Sequence, residues 1–264
     1  MGALYRVAVG LAAVWIVSTG VSMARIDAAA MRDVSRQPDG EGVGQGPSSP
    51  DDLYARREDP AAARAAADAW ATRLAASPAD FESAWKLART CYWLGTHGPD
   101  ARRRADLERG ITAADTAIRL RPGAPEGYFW RGANMGALAE SFGISQGVKY
   151  RKPIREALEK VIALDPAFQQ GSADRALGRW YFKVPGLFGG SNAKSVEHLL
   201  KSLQHDPQST ASLYFLAETY IDMGKKAEAR DVLRRLAAAP ISRDWAPEDR
   251  EWKAKGEALA AKVL

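Results

Sequence analysis

The chain has 264 residues, 46% of them hydrophobic and 26% charged, with a formal net charge of +5 and a single cysteine, Cys91. That length allows one large domain or two small ones with a sizeable core, and one cysteine excludes an intrachain disulfide, so stability must come from packing. Lys and Arg are interspersed with Asp and Glu as on solvated helix faces, and the one basic cluster, Lys149, Arg151, Lys152 and Arg155, lacks the interleaved stacking aromatics of a nucleic-acid binder, which excludes nucleic acid as the expected partner.

The first stretch, MGALYRVAVGLAAVWIVSTGVSMA, has one basic residue, an apolar run from Val7 and small residues at Ser22 and Ala24 spaced like a leader-peptidase site. Residues 1–30 therefore read as a signal peptide. The apolar run is about 18 residues long, just enough to cross a hydrocarbon core of about 30 Å, so an uncleaved N-terminal membrane anchor is the alternative. Either way the rest of the chain is expected outside the cytoplasm, in a periplasmic or other extracytoplasmic space. No cysteine follows the run, so no lipobox is present. Residues 31–58, with QPDGEGVGQGPSSPDD, are too rich in Gly, Pro, Ser and Asp to offset the entropy of ordering and read as a flexible linker.

From residue 59 to 264 the text is helical, with no sustained period-2 alternation. Prolines punctuate it: LAASP, IRLRP, IALDP, SLQHDP and LAAAP end at Pro78, Pro122, Pro166, Pro207 and Pro240. Each stops an apolar-periodic run, because proline lacks the N–H donor and disfavours helix in the residue before it. After each of the first four comes a helix with a small residue, Ala88, Gly132, Gly178 or Ala176, and Ala217, where two helix axes can approach. The last interval, Pro207 to Pro240, is 33 residues, close to the helix-turn-helix tetratricopeptide unit of about 34. The fold class expected is all-α: a superhelix of about four tetratricopeptide-like hairpins, with a lone helix at Pro60–Ala76 and a closing helix at Pro247–Val263 as caps, ten helices in total.

The three earlier intervals are 44, 44 and 41 residues. Their surplus falls between first and second helix: GTHGPDARR after Trp93, SFGISQGVKYRK after Ala139 and VPGLFGGSNAK after Lys183. Enlarged connectors are expected at all three places, emerging on one flank of the stack.

Chemistry is weakly represented. There is no G-x-S-x-G, H-E-x-x-H, Walker A or Rossmann glycine pattern, so no catalytic residue and no cofactor is assigned. His198 and His205 lie about 10.5 Å apart along one helix and cannot converge on a metal. His205 suits a helix C-terminus, His97 a solvated turn, and Cys91 a buried, inert contact position. Aromatics mostly fill core, but helix neighbours point about 100° apart, so Phe129 with Trp130, and Trp180 with Tyr181 and Phe182, cannot all face one interior. The candidate ligand- or partner-binding residues are Phe129, Trp130, Phe142, Tyr150, Trp180 and Phe182, with Pro185, Leu187 and Phe188 in the third connector.

The exported N-terminus, the divergent repeats, DLYARRE before the first helix and LGRWYFKVPGLFGGSNAKSVEHLLKSL together resemble the T component of tetratricopeptide-associated TRAP transporters, over about Asp52 to Leu264. The Lys183–Ser195 segment is the most specific part. More distantly, the chain is similar to the microtubule-dynamics-regulator tetratricopeptide proteins. The TRAP resemblance implies a periplasmic scaffold that forms a homotrimer around a pore, docks a periplasmic solute-binding protein of a TRAP-type system and hands over a small organic acid or apolar ligand. The expected function is thus a non-enzymatic binding scaffold in solute uptake, or, alternatively, a general envelope scaffold for protein–protein interaction. Many members of that family look like lipoproteins, and this chain departs from them in lacking the cysteine.

Overall fold

The computed structural model describes residues 49–263. Among them every regular element is helical: eleven α-helices and one 3-10 turn, with no strand. The signal-peptide or anchor reading of residues 1–30, and residues 31–48 of the linker reading, lie outside the described residues.

The first helix, α1 (Pro50–Ala55), falls within residues expected to be linker, and corrects that expectation for them. Ser49 and Asp52 form a reciprocal capping box, the Ser49 hydroxyl accepting from the Asp52 N–H at 3.1 Å while the Asp52 carboxylate accepts from the Ser49 N–H at 3.1 Å. A Ser-Pro-Asp-Asp run that looks like loop composition is also a helix start. Burial then offsets the ordering cost: Tyr54 is buried, the Arg89 guanidinium lies 3.8 Å from its ring centroid, and Asp51 accepts from Lys86 Nζ at 2.7 Å.

The expected lone helix is α2 (Pro60–Ala76), N-capped by Asp59. Four hairpins follow: α3 (Phe81–His97) with α4 (Asp100–Leu120), α5 (Pro125–Ser141) with α6 (Ile144–Leu164), α7 (Ser172–Lys183) with α8 (Asn192–His205), and α9 (Thr210–Asp222) with α10 (Lys226–Ala238). The closing helix is α11 (Ala246–Val263). Pro78, Pro122, Pro166, Pro207 and Pro240 all fall between helices, as their chemistry requires. The first helices of the hairpins, α3, α5, α7 and α9, pack on one another in succession and form one layer, as in a tetratricopeptide superhelix.

Two of the three enlarged connectors do not exist. The surplus in the first two hairpins is helix: α3 and α5 have 17 residues and α4 and α6 have 21, against 13 each in α9 and α10. The turns shrink to Gly98–Pro99 and Phe142–Gly143, the latter with Gly143 at φ +80°. Helix continues because the added turns still bury apolar side chains, Trp93 and Leu94 in α3 and Tyr150 and Ile154 in α6. Even Pro153, which leaves the Lys149 carbonyl without its usual i+4 donor, sits inside α6. Only the third connector is long, residues 184–191 around the 3-10 turn Gly186–Phe188.

Two large hydrophobic clusters and a small one, Phe81, Ala84 and Ala117, make the interior; the two large ones divide the chain. One runs from α1 to α7 and the other from α8 to α11, built on Leu199, Leu213, Leu216, Leu233 and Leu236. They meet where α7 and α8 touch: a Cβ added at Gly178 would sit 2.5 Å from Leu199 Cγ, so only glycine allows this approach. The superhelix then brings its end back to its beginning. Trp252 of α11 packs on α9 with ring centroids 5.2 Å from Tyr214 and 4.9 Å from Phe215. On the other side, α11 and the turn before it reach α1–α3 through the Arg57–Glu248, Arg250–Glu58 and His97–Glu251 pairs.

Candidate functional site

The seam between the two ends of the chain leaves a cleft of about 560 Å³, within the range of small binding sites. Its apolar part comes from Ala63 of α2 and Trp93 and Leu94 of α3, flanked by Pro60, Pro99 and Pro247. Glu58, Arg64, Arg102 and Glu251 give it a rim of mixed charge.

Each wall is pinned by named contacts. The Trp93 indole donates to the Arg57 carbonyl at 2.7 Å and stacks on His97 with centroids 3.6 Å apart and planes 15° from parallel. Arg57 is buried, its guanidinium 4.9 Å from the Tyr54 ring and 5.1 Å from Trp93, and it donates to the Glu248 carboxylate and to the Asp244 carbonyl at 3.2 Å. Arg64 makes two parallel bonds to Asp106 at 2.6 and 2.8 Å, the fork geometry that fixes a guanidinium most firmly. Burial would raise the Glu251 pKa, but hydrogen bonds from His97 and Lys255 outweigh it and hold the carboxyl at about 2. Another face of the same end of α11 is also fixed: Thr210 donates to Asp249 at 2.6 Å, and Lys253 Nζ donates to the Ala237 and Ala239 carbonyls at 2.6 Å each, satisfying the end of α10.

His97 is exposed, as expected from sequence, but it is not a turn residue; it ends α3 and is stacked on Trp93 and ion-paired with Glu251. His198 pairs with Asp174 at 2.6 Å and stacks on Tyr181, while His205 is the last residue of α8. Among the described residues no group of three or more His, Cys, Asp or Glu is arranged to hold a metal ion. Cys91 is fully buried, and burial pushes its thiol up to about 12. Neither supplies a nucleophile to the cleft.

The third connector forms a hydrogen-bonded knuckle. Phe188 and Gly190 N–H donate to the Pro185 carbonyl at 2.8 and 3.2 Å, Gly189 to Gly186 at 3.0 Å and Ser191 to Tyr181 at 2.9 Å. Ser191 then caps α8. A Cβ at Gly190 would lie 1.6 Å from the Val184 carbonyl oxygen, and Gly189 sits at φ +99°, so the path of this segment depends on glycine. Trp180 underlies it, donating to the Arg151 carbonyl at 3.1 Å, and the Arg151 guanidinium lies 5.2 Å from the Phe188 ring centroid. Leu187, at the tip, is 90% exposed and Phe188 42%.

The candidate residues read from the sequence thus divide. Phe129, Trp130, Tyr150 and Trp180 are buried core, a correction to their reading as binding residues. The pair Phe129 and Trp130 are both interior because α5 has neighbours on more than one side: Phe129 meets Phe168 at 5.5 Å and Trp130 meets Tyr92 at 5.8 Å. Phe142 and Phe182 are half-buried under Arg104 and Arg179 at 4.1 and 5.8 Å. Pro185, Leu187 and Phe188 are exposed together on the knuckle. Sequence reasoning missed Arg57, Trp93, His97 and Glu251 as a unit, because partners separated by 191 and 154 residues leave no local spacing to read.

Comparison with known proteins bears on the same division of the chain. The profile of the family described as Regulator of microtubule dynamics protein 1-3 matches residues 50–188, more than half of the chain, and a tetratricopeptide-repeat profile matches residues 190–240. Regulator of microtubule dynamics protein 3 from Xenopus laevis is 27% identical over 188 residues, covering 64% of this chain and 39% of that protein. The Rattus norvegicus protein of the same name is 25% identical over 174 residues, covering 59% and 36%. The chain thus spans well under half the length of these relatives. A thermophilic tetratricopeptide protein from Thermus thermophilus superposes with a TM-score of 0.58 at 21% identity, over 79% of this chain and 96% of that one, which shows a shared fold. The match falls on the resemblance that the sequence alone ranks as the more distant.

Proposed function

The chain belongs to the family of regulator of microtubule dynamics proteins 1-3, and from that premise we propose that it is a binding scaffold that seats a segment of a protein partner in the seam cleft, with no chemistry of its own. Tetratricopeptide stacks serve as protein-interaction scaffolds by presenting a rigid, shaped surface. The observation that carries the proposal is the cleft itself: Trp93 and Leu94 line it from a wall that Arg57, Glu248 and His97 hold in place. One or two apolar side chains of an incoming segment fit against the exposed Pro60, Ala61 and Pro99, over a floor of buried Trp93 and Leu94, while Glu58, Arg64 and Arg102 offer polar contacts at the rim.

Two finer readings belong to this proposal. The leader-like residues 1–30 support a body working outside the cytoplasm, and the VPGLFGGSNAK segment supports a TRAP solute-binding protein as the partner, with self-association and a small organic ligand following from the same resemblance. The relatives' name attaches to microtubule dynamics, and a part in that process is a proposal for this chain as well, since it matches only 39% and 36% of those proteins.

Affinity capture with the full chain, wild type against Ala61→Arg, tests the site. Ala61 is exposed and lines the cleft, so the arginine fills it without touching the core. A partner identified by mass spectrometry that is retained by wild type and lost by A61R supports the proposal. Equal retention by both overturns it. Recovery of a TRAP solute-binding protein would select the transport reading, and recovery of secretion or cell-wall factors would reject it.

A further inference from the structure

From the knuckle and the start of α6 together we infer a docking surface for an anionic lipid bilayer, distinct from the seam cleft. Among the described residues five large hydrophobic side chains are exposed, and three of them are here: Val148 at 51%, Leu187 at 90% and Phe188 at 42%. Val148 and Arg151 are three apart on α6, hence on one face, and Arg151 lies against Phe188, so the three belong to one surface.

Charge within the two segments is one-sided, and Asp222 of α9, which accepts from Asn192 at 2.6 Å, stands at the base of the knuckle. From Gly143 to Arg155 the chain carries Lys149, Arg151, Lys152 and Arg155 and no carboxylate, and Lys183 to Ser195 carries none either. The nearest acids down α6, Glu156 and Glu159, reach back to Lys152 and Arg155 only at 3.6 and 3.5 Å, with side chains more than half exposed, pairs that contribute little. Glu140, before the surface, faces Arg179 at 3.4 Å.

The shape selects the partner. Leu187 stands on a convex tip whose backbone is already fixed by hydrogen bonds and by Gly189 and Gly190, so no ordering cost accompanies its insertion. An apolar tip with cations at its base matches the bilayer boundary, where the tip enters the acyl edge and Lys149, Arg151 and Lys152 remain at the level of the phosphates.

The test uses the full chain with Leu187→Cys carrying an environment-sensitive fluorophore; buried Cys91, with its thiol pushed up to about 12, stays unlabelled. A second chain labelled at Arg234→Cys, an exposed α10 position with 78% of its side chain accessible, is the reference. With vesicles of phosphatidylcholine and phosphatidylglycerol the 187 label shifts to the blue and the 234 label does not. Vesicles of pure phosphatidylcholine leave both unchanged. Lys149→Gln with Lys152→Gln lowers partitioning about twenty-fivefold, at about fivefold per cation near a charged surface, with the circular dichroism of the folded chain retained. An unshifted 187 label, equal shifts on neutral vesicles, or a shift produced by polyglutamate and not by vesicles would each overturn the inference, the last in favour of an acidic protein surface.

Discussion

The long hairpins α3/α4 and α5/α6 and the short hairpin α9/α10 share one punctuation, a proline after each second helix, yet they spend their residues differently. Helices of 17 and 21 residues are about 25 and 31 Å long, against about 20 Å for 13 residues. The overhang is where both candidate surfaces arise. Leu94 and His97 at the end of α3 and Arg102 at the start of α4 line the seam cleft, and Arg151 in the added turns of α6 supports the knuckle. The α7/α8 hairpin stands between the two kinds, with short helices and its surplus folded into residues 184–191. In this chain, extra repeat length becomes surface through helix extension twice and through loop once.

Four substitutions test that contrast. Arg57→Ala removes the cation from a buried cluster and leaves Glu248 without its partner; a loss of about 3 kcal/mol is expected in urea unfolding, and a loss near zero would mean that the two ends are not joined. Gly190→Ala drives a Cβ into the Val184 carbonyl and should cost about 1–3 kcal/mol, read as a lower melting temperature. Gly147→Ala has the opposite sign. Nothing lies within 4 Å of a Cβ there, and inside α6 the alanine stabilises by about 0.5–1 kcal/mol; no gain would return this stretch to a loop. The smallest effect belongs to Glu251. Its folded pKa lies below the usual carboxylate value, so its contribution is present above that value and is lost as pH falls through about 2. Glu251→Gln should lower the melting temperature modestly at neutral pH and flatten its fall across that acidic window, so that the two chains converge as pH approaches about 2.

Much of the fold was legible because its punctuation is local. The five prolines mark helix ends, and Asp59, Asp80, Ser191 and Ser209 mark starts by accepting from the N–H groups that a helix leaves unpaired. What local chemistry does not reveal is how long an element runs between its marks. GTHGPDARR contains two glycines and a proline and reads as a loop, but only Gly98 and Pro99 lie outside helix, because burial of Trp93 and Leu94 on one side and Leu107 on the other carries the helices through. The α1 helix was hidden for a similar reason, since PDDLYA is stabilised by Lys86 and Arg89 of another helix. Of the site, the exposed triad Pro185, Leu187 and Phe188 could be read from a glycine-bounded connector, whereas the seam depends on residues brought together only by the superhelix as a whole.

The meeting of the two ends is the point on which this account rests, and it is open to a direct distance measurement. Spin labels at Ala65→Cys in α2 and Ala254→Cys in α11, both exposed, can be placed in the full chain, since Cys91 is buried. A single narrow distribution that broadens on Arg57→Ala is the result expected. A broad distribution in the unmutated background, unaffected by Arg57→Ala, would show an open superhelix whose ends do not meet.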